Sequence, residues 1–219
     1  MRTAAILPIK SFARAKQRLS LELSAHDRRA LVEAMFADAL VALGRVEALE
    51  RVVVVSGDHV AQRIADGYGA SVVDDDERGH NTAASRGIAV LIQAGIERAL
   101  LVPGDCPLLS PADLNALLDR EAGERSALIV PDRHGTGTNA LLLTPPDVLS
   151  PSFGPDSRRR HMADASAHGI PAEVVELDSL AFDVDTPDDL EALQRRLANT
   201  RGGAAHTRGM LNQLMRARA

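Results

Sequence analysis

Apolar residues along this chain fall into two recurring patterns, short unbroken runs and longer stripes with helical spacing, and the two alternate. Ala4 to Ile9, Val52 to Val55, Ala99 to Val102, Ala127 to Val130 and Ala140 to Leu143 are runs without polar interruption, as expected of strands buried on both faces of a largely parallel sheet. Ser71 to Val73 and Ala172 to Leu177 read as two further short strands. Between them, Leu31, Val32, Met35, Phe36, Ala39, Leu40 and Leu43 form one helical stripe behind a Ser24 cap with Asp27 three places on. Ser56-Gly-Asp58 opens a second helix ending near Tyr68-Gly69, and Thr82 to Gln93 is a third, stopped at Gly95. Ser110-Pro111 caps a fourth, Phe153-Gly-Pro-Asp-Ser157 leads into a fifth, and Thr186-Pro187 opens a sixth, with Asp188 and Asp189 favoured by its dipole.

This alternation predicts an α/β fold with a mostly parallel sheet flanked by helices, occupying residues 1–198 as one domain. From Asn199 the pair Gly202-Gly203 and the small and basic residues read as a flexible basic tail, 199–219, with only weak support for an amphipathic helix over Met210 to Met215.

In open α/β sheets ligands bind beyond the carboxyl ends of the strands, so the residues that follow each run matter most. After Ala99 to Val102 the chain turns at Gly104 and presents Asp105, a carboxylate suited to a hard divalent cation or, more simply, to capping the next helix. Ser110 already supplies that cap, which favours the cation reading. Asp183 and Asp185, two apart on an extended segment, point to one side, so that with Asp105 they could bind one or two Mg²⁺ ions. The first strand is followed by Lys10, Arg14, Lys16 and Arg18, either a cradle for a triphosphate or a solvated basic loop. Gly135-Thr-Gly-Thr138 would offer backbone and hydroxyl donors to a carboxylate or phosphate, or would simply serve as a tight turn. The start of the fifth helix, with Ser157 and its arginines, reads as a second anion site.

Composition narrows the field. The 219 residues carry a net charge of −5, and the segment from Thr200 holds Arg201, Arg208, Arg216 and Arg218 with no acid, so the body is more acidic than the whole. An acidic body with one Tyr, four Phe and no Trp argues against nucleic acid as a partner. No apolar run reaches the roughly 18 residues of a membrane span, and the first eight residues are broken too early by Pro8 for a secretory signal, so a cytoplasmic protein is expected. Cys106, the single cysteine, excludes an internal disulfide and reads as a buried, inert thiol.

Five motifs in order, Pro8-Ile-Lys10 with Ala15-Lys-Gln-Arg-Leu19, Gly104-Asp-Cys-Pro107, Arg133-His-Gly-Thr-Gly-Thr-Asn139, Phe153-Gly-Pro-Asp-Ser157 and Asp183-Val-Asp-Thr-Pro187, resemble the phospholactate/phosphoenolpyruvate guanylyltransferases of coenzyme F-420 biosynthesis over about residues 4–195. The resemblance implies a Rossmann-like, glycosyltransferase-A-like nucleotidyltransferase fold. It also implies transfer of GMP from GTP to a small phosphorylated carboxylic acid, phosphoenolpyruvate first, with 2-phospho-L-lactate and 3-phospho-D-glycerate as alternatives. On matching positions Thr138, Gly154 and Ser157 would hold the acid, and Asp105 and Asp183 would bind Mg²⁺. The product would pass to a downstream F-420 transferase. The chain lacks the Gly-rich nucleotide loop of the related molybdenum-cofactor guanylyltransferases and has the lysine and arginine loop in its place.

The chemistry can be reasoned separately, because joining two anions needs positioning and charge neutralisation and no protein nucleophile. Lys10, Lys16 and Arg18 are then expected to bind GTP and stabilise the departing pyrophosphate. Asn81 is placed either near the base or ribose or as an ordinary helix cap. A sugar-transferring enzyme of the same fold leaves the second anion site without purpose, and a non-catalytic receiver-type module leaves the cationic loop unexplained.

Overall fold

The computed structural model describes residues 1–76, 78–120, 123–200 and 202–218. Its strands are β1 (Thr3–Pro8), β2 (Arg51–Ser56), β3 (Ser71–Asp74), β4 (Arg98–Leu101), β5 (Ser126–Pro131), β6 (Thr138–Thr144) and β7 (Ala172–Val174). The helices are α1 (Ala25–Leu43), α2 (His59–Gly67), α3 (His80–Gln93), α4 (Pro111–Leu118), α5 (Ser157–Ala167), α6 (Pro187–Asn199) and α7 (Ala205–Arg218), with short 3-10 turns at Phe12–Arg14 and Gln17–Leu19.

One sheet runs in the order β3-β2-β1-β4-β6-β5-β7. Because strand side chains alternate, β1 feeds both cores: Ala5 and Leu7 face α1, α2, α4 and α6, while Ala4 and Ile6 face α3 and α5. That double burial is why the strands read as unbroken apolar runs.

The strand order reverses between β1 and β4, where connections leave the sheet in opposite directions and open a crevice. Strand β6 breaks the parallel pattern, pairing antiparallel with both β4 and β5. An apolar run carries no sign of strand direction, so this was not legible in the sequence. The consequence is functional. Leu101 at the carboxyl end of β4 pairs with Leu141, so the beginning of β6, Thr138-Asn139, lies at the same edge as Asp105.

The expectation of a flexible tail from Asn199 does not hold. Residues 205–218 form α7, which packs on α1. Thr207 and Leu211 are buried, as are Ala204 and Leu214. The first backbone N–H groups of α7 would be orphaned, but Asp38 of α1 accepts from His206 N at 3.0 Å and from Thr207 N at 2.8 Å. Arg208 donates to the carbonyls of Leu197, Thr200 (2.7 Å) and Gly202 (3.1 Å), tying α7 to the end of α6. This second contact also explains why Ala37 and Asp38 are buried although they lie off the stripe read for α1. The signal was present, since Ala204, Thr207, Leu211 and Leu214 repeat at spacings of three and four. Arg201 and the side chain of Arg218 lie outside the described residues.

Candidate active site

A cavity of about 680 Å³ opens beyond the carboxyl ends of β1 and β4. Its lining comes from Lys10 and Lys16 after β1, Asp75 and His80 around the loop after β3, Asp105 after β4, and Thr138 at the start of β6. Asp185 and Phe153 complete the wall. Apart from Phe153, each of these positions follows or precedes a strand at one edge of the sheet, which is why residues distant in sequence meet.

The basic loop is folded rather than loose. Phe12 is buried edge-on against Phe36 of α1, with ring centroids 5.7 Å apart, and its N–H donates to Asp58 Oδ2 at 2.9 Å. Asp58 also caps α2 through Val60 N, so one carboxylate fixes the loop and the neighbouring helix. Lys16 then adopts a left-handed backbone with φ of 53°, a conformation costing roughly 1 to 2 kcal/mol for a residue with a Cβ. This turn sends the side chain inward, where it is almost fully buried and its Nζ donates to Asp105 and, at 2.7 Å, to Asp185. Strain held by ion pairs in a cavity is typical of functional positions.

Lys16 therefore stands among the acids, whereas its place in the basic loop suggested a phosphate contact beside Lys10 and Arg18. Arg18 is exposed on the Gln17–Leu19 turn and does not line the cavity. Burial alone would push Asp105 up, but the charge and hydrogen bond of Lys16 outweigh it and hold the carboxyl below its ordinary value. Burial likewise works against the Lys16 ammonium, and the two carboxylates more than compensate and raise it.

Among the described residues Asp183 has no such partner. Burial, and next the charge of Asp105, push its carboxyl up to about 6, against an opposing hydrogen bond from Asn139 Nδ2 at 3.3 Å. Asn139 also donates to Leu180 O at 2.7 Å, and Arg133 N donates to Ala181 O at 2.9 Å. Asp189, buried under Arg133, accepts from Asp185 N at 2.9 Å and Thr186 N at 2.7 Å. The loop carrying Thr138 and the segment carrying the two acids are thus one clamped unit.

Between the unperturbed value of 3.8 and about 6, folded Asp183 keeps a proton that the unfolded chain has released, so stability falls as pH rises through that window. Asp183→Asn should then stabilise the cation-free protein at pH 7.5 by on the order of 2 kcal/mol, with no gain at pH 4. Denaturant melts of both proteins in chelator check this, and a destabilised variant at pH 7.5 would contradict it.

The expected donors of the Gly135–Thr138 loop are largely spent within it. Gly135, with φ of 70°, donates to Asp132 O at 2.9 Å, and Thr136 N donates to Asp132 Oδ1 at 3.0 Å, so the turn reading describes these groups. Thr138 is the residue of this loop that lines the cavity, with its Oγ1 3.1 Å from His161 Nδ1. Gly154 and Ser157 do not line it, although among the described residues the buried Ser157 hydroxyl has no hydrogen-bond partner. Asn81 neither caps α3 nor projects freely. It lies in the first turn and brackets Phe153, accepting from its N–H at 2.8 Å and donating to its carbonyl at 3.2 Å. His80 was not singled out from sequence. It stands over Phe153 with centroids 5.1 Å apart, and burial and then Lys10 lower its basicity. Cys106 is buried, and its thiol is raised by burial and by Asp105, in keeping with an inert role.

Among the described residues no three His, Cys, Asp or Glu side chains are already set to hold a metal ion. The donor set is nonetheless suited to one. Asp105, Asp183 and Asp185 bring three carboxylates to one place against the single charge of Lys16, and the raised Asp183 records the surplus. Oxygen-only donors favour a hard cation.

A phosphoenolpyruvate guanylyltransferase of Conexibacter woesei is 54% identical over 99% of this chain and 98% of its own. A 3-phospho-D-glycerate guanylyltransferase of Colwellia psychrerythraea is 34% identical over 88% of this chain and 91% of its own. A 2-phospho-L-lactate guanylyltransferase of Methanothermobacter thermautotrophicus is 34% identical over 87% and 83%. A crystal structure assigned to the nucleotide-diphospho-sugar transferases, from Desulfovibrio desulfuricans G20, superposes with a TM-score of 0.76 over 99% of this chain and 98% of that one, at 16% identity, and so shares the fold. Residues 3–214, reaching into α7, match the family described as "Guanylyl transferase CofC like", and the chain belongs to that family.

Proposed function

We propose that this protein transfers GMP from GTP to the phosphate of phosphoenolpyruvate, releasing pyrophosphate and supplying a guanylylated acid to coenzyme F-420 biosynthesis. The observation that carries the reading is the convergence of Lys10, Lys16, Asp105, Asp185 and Thr138 on one cavity at the strand-order reversal, in a chain whose 54% identical relative bears that name. The same reaction on 2-phospho-L-lactate or 3-phospho-D-glycerate is the second reading, favoured by the names of the two 34% identical relatives.

A phosphate oxygen of the acid attacks the α-phosphorus of GTP, and the bond from that phosphorus to the bridging oxygen breaks, its electrons leaving with pyrophosphate. No protein nucleophile takes part. Lys10 and Lys16 offset the charge on the triphosphate and on the leaving group. Thr138, which lines the cavity, donates to the acid. Asp105, Asp183 and Asp185 would hold Mg²⁺, which supplies charge neutralisation at the phosphate oxygens. Asn139 and Asp189 keep those acids in register.

Initial rates with GTP and each of the three acids test the reading. The highest kcat/KM is expected with phosphoenolpyruvate. A clear preference for another acid would move the assignment to that acid, and turnover with none would remove it.

A further inference from the structure

We infer that His161 is a positioning residue that fixes the Thr138 hydroxyl as a hydrogen-bond donor toward the cavity. His161 lies on α5 and is fully buried. Its two ring nitrogens have different partners. Nε2 accepts the backbone N–H of Ser152 at 3.0 Å, and a nitrogen that accepts carries no proton. The proton of the neutral ring must therefore sit on Nδ1, which lies 3.1 Å from Thr138 Oγ1 and donates to it. Thr138 Oγ1 then acts as acceptor toward His161. Among the described residues it has no other partner, so its own proton is directed away from the ring, and Thr138 lines the cavity.

The arrangement selects the charge of what Thr138 meets. A hydroxyl free to rotate can greet a donor or an acceptor, but one whose lone pair is engaged by an imidazole N–H offers a donor, which suits a phosphate or carboxylate oxygen. Protonating His161 would set an Nε2–H against the Ser152 N–H, two donors face to face. Burial, and next the charge of Arg160, lower its basicity to about 4, so the neutral ring persists at ordinary pH. His161 also packs edge-on against Phe153, with centroids 5.5 Å apart, so the residue that orients Thr138 steadies a second residue lining the cavity. A polar ring on the inward face of an otherwise ordinary helix thereby gains a purpose beyond packing.

The inference rests on the reading of Thr138 as a ligand of the phosphorylated acid, and the test separates the two. Thr138→Val should raise the KM for phosphoenolpyruvate about tenfold or more, with the KM for GTP unchanged. His161→Gln, which keeps an acceptor but loses the Nδ1 donor, should shift the acid KM in the same sense, and the double variant should be no worse than Thr138→Val alone. If Thr138→Val leaves the acid KM unaltered, the assignment of the acid site falls. If it raises that KM while the effect of His161→Gln is absent or multiplies with it, the positioning role alone falls. A long-range ¹H–¹⁵N correlation spectrum of the unmutated protein decides independently of any variant's folding: a protonated Nδ1 on His161 is expected, and a protonated Nε2 would overturn the inference.

Discussion

Asp105→Asn should cut kcat by on the order of 10² to 10³ while leaving the thermal midpoint close to that of the parent. The carboxylate sits on the tight turn after β4, and Gly104 before it lies so close to Ile9 that a Cβ there would clash with its Cδ1, so the turn is fixed by packing rather than by the charge. Asparagine keeps the shape and removes the charge. It loses the ion pair with Lys16, which retains Asp185 as a partner, so the fold is expected to survive. What is lost is one of three carboxylates proposed to counter the charge on GTP and the incoming acid. Steady-state kinetics beside a thermal melt checks this, and a near-parental kcat would remove Asp105 from the machinery.

Removing α7 should have the opposite signature. Truncation of a fully buried leucine to alanine costs about 2 to 5 kcal/mol, and deleting residues 200–219 strips Thr207, Leu211 and Leu214 from α1, bares the apolar surface they cover and removes both N–H partners of Asp38. Against a total stability of about 5 to 15 kcal/mol for a typical domain, that loss is expected to leave the chain unfolded or aggregated at 37 °C. The milder Leu211→Ala should lower the thermal midpoint by on the order of 10 °C with kcat at 20 °C unchanged, since α7 does not line the cavity. A truncated protein that melts with the full chain would return 199–219 to the status of a dispensable tail.

Much of this fold is legible in the sequence because its physics is local. Short unbroken runs such as Ala99 to Val102, bounded by turn residues, suit strands covered on both faces, and caps such as Ser24, Ser110 and Thr186 stand where they are read, each accepting from the backbone three residues on. Asp105, Asp183 and Asp185 stand out in the sequence because the carboxyl edge of such a sheet is where ligands bind. What escaped depends on pairings across the chain. The direction of β6 is set by its neighbours, not by its composition. Lys16 looks like one more cation in a basic loop until a left-handed backbone turns it onto Asp105 and Asp185. Asn81 has the chemistry of a ligand contact or a cap and spends it on Phe153, 72 residues away. The glycines at 202 and 203 resemble an end, yet the helix beyond them finds its cap 168 residues back, at Asp38.

The central claim is that the acid's phosphate is joined to the α-phosphorus of GTP. Phosphorus NMR and mass spectrometry of the products from GTP and phosphoenolpyruvate test it most directly. The expected result is one pyrophosphate per guanylylated acid, with two coupled phosphorus resonances from a new P–O–P bridge. Release of orthophosphate without a conjugate, or a conjugate lacking the acid's own phosphorus, would contradict it.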